Sequence, residues 1–134
     1  MAGYSATPLA RKLSLKEGLR AWWPAMPASV RAEIDAASLS LIHLSAPEPP
    51  VEAAHVFVTR RAELEAAVAE LRPVLAPAGF LWVSWPKKSS GLASEVNEDD
   101  IRRIGLPTGL VDIKVCAVDE TWSGLKLVIR RDLR

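Results

Sequence analysis

Two short segments concentrate the side chains that could do chemistry. Trp85-Pro86-Lys87-Lys88 leaves the apolar run Gly79 to Trp85, and Asp119-Glu120-Thr121-Trp122 leaves the run Val111 to Val118. In an open α/β sheet, ligands settle at the carboxyl ends of the strands. If both runs are parallel strands, one mouth gathers the Lys87 and Lys88 ammonium groups and the Asp119 and Glu120 carboxylates. The Thr121 hydroxyl and the Trp85 and Trp122 indoles join them. Such lysines would hold an anionic ligand while an indole covers its apolar part, in a cleft of at least about 300 Å³. The same residues also have a plainer use. Lys87 or Lys88 would pair with Asp119 or Glu120 and pin the last hairpin to the sheet, a contact worth about 0–1 kcal/mol when exposed.

The other reactive side chains read mostly as structure. Asp112, Lys114 and Cys116 alternate with Val111, Ile113, Val115 and Ala117, so a regular strand puts all three on one face. A cation beside a thiol lowers its pKa, but a lone cysteine in an apolar strand is ordinarily core. His43 and His55 lie in strand-like runs with no histidine or cysteine at ligand spacing, which suits hydrogen-bonded core or edge residues rather than metal ligands. Ser84, Ser89 and Ser90 lack the glycine-flanked elbow of a hydrolase nucleophile. Arg60-Arg61 and Arg130-Arg131 would add to a basic patch with Lys87 and Lys88. Glu63, Glu65, Asp119 and Asp132 interleave with them, and a solvated mixed surface is the expectation. No residue is assigned to catalysis, to a metal or to a cofactor.

Composition narrows the class. At 134 residues the chain has the length of one domain, with 49% hydrophobic and 25% charged residues. A net charge of +1 gives no global reason to bind nucleic acid or a membrane surface. Cys116 is the sole cysteine, which rules out a disulfide framework and fits a reducing cytoplasm. Met1 to Gly18 carries Arg11, Lys12 and Lys16 without an apolar core, unlike a signal peptide, and no run approaches the length of a membrane span.

The elements that must position these residues follow from pattern. Thr7-Pro8 starts a short N-terminal helix through Leu9 and Leu13, and Leu19 to Trp23 is a first strand ended by Pro24 and Pro27. Trp22 and Trp23, adjacent on it, must face opposite sides. Val30, Ile34 and Ala37 mark a helix, and Leu39 to Leu44 a second strand. A stiff Ala46-Pro-Glu-Pro-Pro50 connector leads to a third, Ala54 to Thr59. Leu64, Val68, Leu71 and Leu75 line a helix from Arg60 to Leu75, and strand four is Phe80 to Trp85. Asn97 caps a helix whose start carries Glu98, Asp99 and Asp100 and whose end carries Arg102 and Arg103, with Gly105 and Pro107 stopping it. Val111 to Val118 and Leu125 to Arg131 form a closing hairpin.

That closing helix–strand–hairpin–strand resembles the C-terminal half of the class I S-adenosylmethionine-dependent methyltransferase fold. Ala54-His-Val-Phe-Val-Thr59 and Leu75-Ala-Pro-Ala-Gly-Phe-Leu-Trp-Val83 are similar in layout to its later strands. More closely, the chain resembles a bacterial family of small domains of unknown function, trimmed versions of this architecture. The matching pieces are Ala2-Gly-Tyr-Ser-Ala-Thr-Pro-Leu-Ala10, Trp85-Pro-Lys-Lys88 and Gly109-Leu-Val-Asp-Ile-Lys-Val-Cys-Ala-Val-Asp-Glu-Thr-Trp-Ser-Gly124. The resemblance implies a three-layer α/β domain over residues 1–134 with a mainly parallel sheet of about six strands. Their order would be 2-1-3-4-6-5, the last strand antiparallel.

The chain departs from a working methyltransferase at its first strand. Cofactor binding there needs a glycine-rich turn, because the backbone must approach the ligand with no Cβ in the way. Leu19-Arg-Ala-Trp-Trp-Pro-Ala-Met-Pro27 has no glycine, and the second strand ends Ile42-His-Leu-Ser-Ala46 without a carboxylate for a ribose. A binding or interaction domain with the cofactor cleft filled is therefore favoured over an enzyme, with an unidentified protein as partner. The alternative is a small-molecule binder or enzyme that takes an anionic ligand at Trp85, Lys87, Lys88, Asp119, Glu120 and Trp122. Neither reading calls for a cofactor, nucleic acid or a membrane.

Overall fold

A computed structural model describes residues 7–134; the first part of the Ala2–Ala10 motif, residues 2–6, lies outside the described residues. Six strands form one sheet in the order β2-β1-β3-β4-β6-β5. They are β1 (Arg20–Trp22), β2 (Ile42–His43), β3 (Val51–Phe57), β4 (Leu75–Pro86), β5 (Leu110–Ala117) and β6 (Trp122–Ile129). β2, β1, β3 and β4 are parallel neighbours, and β6 runs antiparallel to both β4 and β5. β5 is thereby parallel to β4. The expected order and the antiparallel last strand are both present.

Helices cover both faces. α1 (Leu9–Lys12) and α2 (Ala28–Asp35) lay Leu9, Leu13, Val30 and Ile34 over Ala53, Phe80 and Trp82 on one side. α3 (Arg61–Leu71) and α4 (Glu98–Gly105) lay Leu64, Val68, Leu71 and Ile101 over Ala54, Leu81, Leu125 and Leu127 on the other. Each start has a local cause. Asn97 Oδ1 accepts the Asp100 N–H at 2.9 Å while Asp100 Oδ2 accepts the Asn97 N–H at 3.1 Å, a reciprocal cap. Glu63 closes the first turn of α3 in the same sense, accepting from the backbone N–H groups of Thr59 and Arg60. No helix among the described residues is long and apolar enough to cross a membrane.

Several expectations need correction. α3 ends at Leu71 rather than Leu75, because Pro73 cannot continue a helix, and Leu75 already belongs to β4. β4 therefore starts five residues earlier than Phe80 and carries an irregular stretch opposite Val51 to Ala53. Gly79 permits it: a Cβ there would sit 2.8 Å from the Val51 carbonyl oxygen. β2 contracts to Ile42–His43, both exposed on an edge. Ala37 lies beyond α2 and is exposed, so only Val30 and Ile34 face the core.

A further correction bears on chemistry. A register shift between Asp112 and Lys114 places Asp112 opposite Leu127 but Lys114 opposite Lys126, so the extra residue Ile113 flips the strand. Asp112 faces α4, where it accepts from Arg102 Nε at 2.9 Å. Lys114 and Cys116 face α1 instead. The three residues do not share a face.

Candidate functional site

β4 and β5, being parallel, deliver the Trp85–Lys88 and Asp119–Trp122 segments to one carboxyl edge. The two touch directly: the Lys87 N–H donates to the Thr121 carbonyl at 2.8 Å. The sheet nevertheless divides the residues between its two sides. Trp85 packs with Val96 and Ile101 on the α3/α4 side. Trp122, paired with Pro86, lies on the α1/α2 side, where its ring meets Phe57 edge-on at 5.1 Å. One strand position separates the indoles, and that single step sends them to opposite faces.

The expected ion pairs are absent. Among the described residues no carboxylate lies within 4.0 Å of Lys87 or Lys88. Asp119 turns back on its own segment instead. Its Oδ1 accepts the backbone N–H groups of Thr121 at 2.8 Å and Trp122 at 2.7 Å, which sets the hairpin turn. Glu120 is exposed at the tip. Lys87 and Lys88 border a cleft of 220 Å³ with Trp85, Ser94 and Asn97. That volume falls short of the roughly 300 Å³ at which small-molecule sites begin. Since neither lysine holds a carboxylate, Lys88→Ala is expected to change stability by less than about 0.5 kcal/mol in a urea titration.

At the edge where β1 and β3 end, Trp22, Pro24, Phe57, Glu63 and Glu70 border a second cleft of 230 Å³ between the β1 exit and α3. Trp22 packs toward the α3 side, as adjacency to Trp23 requires. Trp23 turns to the α2 side and donates its Nε1–H to the Ala53 carbonyl at 3.1 Å. Both indoles are half-buried. Trp23 also meets His43 edge-on at 5.0 Å, and Arg31 stands over its ring. Burial and the neighbouring Arg31 charge lower the His43 pKa.

The remaining candidates resolve into packing and pairing. Burial raises the Cys116 thiol pKa, with Lys12 and Lys114 opposing weakly, so the thiolate is disfavoured. Arg61 reaches Asp100 at 3.8 Å and Arg130 reaches Asp132 at 2.7 Å, the mixed surface expected of the arginine pairs. Arg102 ties together Glu98, Asp99 and Asp112, and the bonds to Asp112 and Glu98 raise its pKa. No group of three or more histidine, cysteine or acidic side chains suited to a metal occurs among the described residues.

One pair was not anticipated. His55 Nε2 and Ser84 Oγ lie 2.7 Å apart, both fully buried. The distance suits a base and a nucleophile, but the hydroxyl is buried and among the described residues no carboxylate bonds to the ring. The pair satisfies two buried polar groups and does no more. The signal for it was the parallel register of β3 and β4, which sets Trp82 beside His55 and Ser84 two residues on along the same face.

No family model and no curated protein matches the chain. Solved structures do. A precorrin-6y C5,15-methyltransferase of Geobacter metallireducens aligns over 90% of this chain and 85% of its own, at 13% identity and a TM-score of 0.60. Aeropyrum pernix fibrillarin, solved with bound S-adenosylmethionine, aligns over 94% and 70% at 15% identity and a TM-score of 0.54. Methanococcus jannaschii fibrillarin, a pre-rRNA processing protein, aligns over 96% and 71% at 9% identity, also with a TM-score of 0.54. The architecture is thus that of the class I S-adenosylmethionine-dependent methyltransferases. At these identities the likeness concerns the fold alone.

Proposed function

We propose that the chain, acting as a single cytoplasmic domain, is a non-catalytic binding or interaction domain whose methyltransferase-like fold has given up its cofactor position. The observation that carries this reading is the exit of β1. Where a glycine turn would let a nucleotide approach the backbone, the chain runs Trp22-Trp23-Pro24, with Trp23 bonded to Ala53 and Trp22 walling the residual 230 Å³ cleft. Glu63 and Glu70 border that cleft, and Glu63 is already committed to capping α3. On this reading the chain sits with the small bacterial domains of unknown function that it resembles, a resemblance that implies a fold but no reaction. Isothermal titration of the full chain with S-adenosylmethionine and S-adenosylhomocysteine should give no binding heat at millimolar ligand. A Kd in the micromolar range would overturn the reading.

One observation favours a second reading. Lys87 and Lys88 carry no ion-pair partner within 4.0 Å among the described residues and stand beside the Trp85 indole. A small anion held there would use the carboxyl edge of β4, with Ser94 and Asn97 as further donors. A thermal-shift screen with nucleotides and anionic metabolites tests it, since a ligand at 100 times its Kd adds about 2.7 kcal/mol of stability. A shift that disappears in Lys87→Ala/Lys88→Ala would favour this reading over the first.

A further inference from the structure

A cleft of 500 Å³ opens on the α1/α2 side, at the other end of the sheet from Lys87 and Lys88. Its walls come from segments far apart in sequence: Ala10 of α1, Leu15 on the way into β1, and Ala37 and Leu39 on the way into β2. The polar groups around it are Arg11, Ser14 and Lys16. We propose that this cleft binds an amphipathic anion, its apolar chain or ring lying against Ala10, Leu15 and Leu39 and its carboxylate or phosphate head held by Arg11 and Lys16.

Three observations converge on that chemistry. The volume falls within the roughly 300–1,000 Å³ of small-molecule sites, and the walls are aliphatic. The surroundings are basic and unneutralised. Lys114 Nζ donates to the Lys12 carbonyl at 2.9 Å, Lys12 Nζ to the Ala117 carbonyl at 2.8 Å, and Lys126 Nζ to Ser14 Oγ at 2.9 Å. Four lysines (12, 16, 114 and 126) and Arg11 therefore gather around α1. Among the described residues none of the five forms an ion pair, whereas Arg31, Arg61, Arg102, Arg103 and Arg130 all do. The nearest acid in sequence, Glu17, gives its carboxylate to the Ser40 N–H at 3.0 Å. Burial, and after it the charges of Lys114 and Lys16, lower the pKa of Lys126. An anionic head would relieve that repulsion.

The third observation is Ser14. Leu15 N–H bonds to the Ala10 carbonyl and Ser14 N–H to the Arg11 carbonyl, both at 3.0 Å, the paired bonds of a helix end that ordinarily takes glycine. Ser14 nevertheless adopts φ +63°. A serine in this left-handed position is strained, and strain of this kind collects at ligand clamps. Here it places a hydroxyl at the cleft, oriented by Lys126.

The inference goes beyond the function proposed above and does not rest on loss of the cofactor position, which lies at the carboxyl end of β1. Its test is isothermal titration of the full chain with decanoate, decyl phosphate, decanol and inorganic phosphate. At least one of the two amphipathic anions should bind at one site per chain with a Kd of about 10–100 µM, and comparing them identifies the head. Decanol and inorganic phosphate should each bind at least about tenfold weaker, about 1.4 kcal/mol or more. Lys16→Ala and Arg11→Ala should each weaken the anion severalfold. Ala37→Trp, which fills the cleft from an exposed position, should abolish binding with an unchanged melting temperature. The proposal fails if decanol or phosphate binds as tightly as the amphipathic anions, if neither anion binds, or if the Ala37→Trp variant, still folded, binds like the parent.

Discussion

Trp82→Ala is expected to remove about 3–5 kcal/mol of stability, read from the midpoint shift of a urea titration. Trp82 sits in the middle of β4, 1% exposed, with its ring between the sheet and α1. Two losses combine. Truncation leaves a large cavity in a core that cannot close over it, because β4 is held by β3 on one side and β6 on the other. It also strips the Leu13 carbonyl of its donor, since Trp82 Nε1 donates to it at 3.0 Å across the face. Trp82→Phe separates the two terms: it keeps most of the apolar volume and should cost about 1–2 kcal/mol for the bond and the residual void. α1 has only four residues and gains little from its own helical bonds, so it depends on tertiary contacts of which the indole is one. A cost below about 1 kcal/mol for Trp82→Ala would mean that α1 packs without it.

Acidification from pH 7 to pH 5 should cost the fold about 2 kcal/mol through His55 alone. Burial depresses the His55 pKa from 6.5 to about 3, so the folded state holds a neutral imidazole across the whole interval. The unfolded chain takes up a proton near 6.5. Between those values the unfolded state binds more protons, and stability falls with decreasing pH by up to about 1.4 kcal/mol per unit. The contribution is complete above pH 6.5 and is lost progressively down to about 3. His43 shifts in the same direction from a far more exposed position, so it adds little. His55→Gln retains a hydrogen-bonding group for Ser84 and removes the titration. Its urea midpoint should be lower at pH 7 but nearly flat between pH 5 and pH 6.5. An equally steep slope in the variant would assign the acid sensitivity elsewhere.

Which parts of this molecule could be read from its residues depended on the range of the forces involved. The sheet order was legible through resemblance, since the last helix, strand, tight hairpin and strand are similar to the methyltransferase finish, and β6 takes the inner position that this likeness implies. The cap of α4 was legible for a similar reason, since Asn97 and Asp100 interact within one turn. β4 was legible only in its second half: Leu75 read as the end of a helix and the strand as starting at Phe80, and the carbonyl of Val51 that makes Gly79 useful belongs to another strand. The face of Asp112 was illegible because one extra residue at Ile113 reverses the alternation, and nothing in the local pattern marks it.

The candidate site followed the same rule. That two segments would meet at one edge came from topology, and the Lys87–Thr121 backbone bond joins them there. The pairing of lysines with acids did not follow, because Asp119 closes its own turn at shorter range than any lysine can reach it. The cleft beside α1 had no sequence signature. Its walls are the ends of two helices joined by neither spacing nor motif, and the Arg11 and Lys16 charges that line it are reinforced by Lys114 and Lys126, more than a hundred residues after α1.

The inner position of β6 has a consequence for how the protein is made. Translation delivers β6 after every other strand, yet β4 and β5 become neighbours only through it. While β6 is still inside the ribosome, the emerging β4 presents a long unpaired edge containing Phe80, Leu81, Trp82 and Val83. β5, carrying Ile113 and Val115, has no partner at all. The sheet is continuous from β2 to β5 only once β6 is in place. The nascent chain is then at its stickiest, and the arrival of β6 between β4 and β5 ends that exposure.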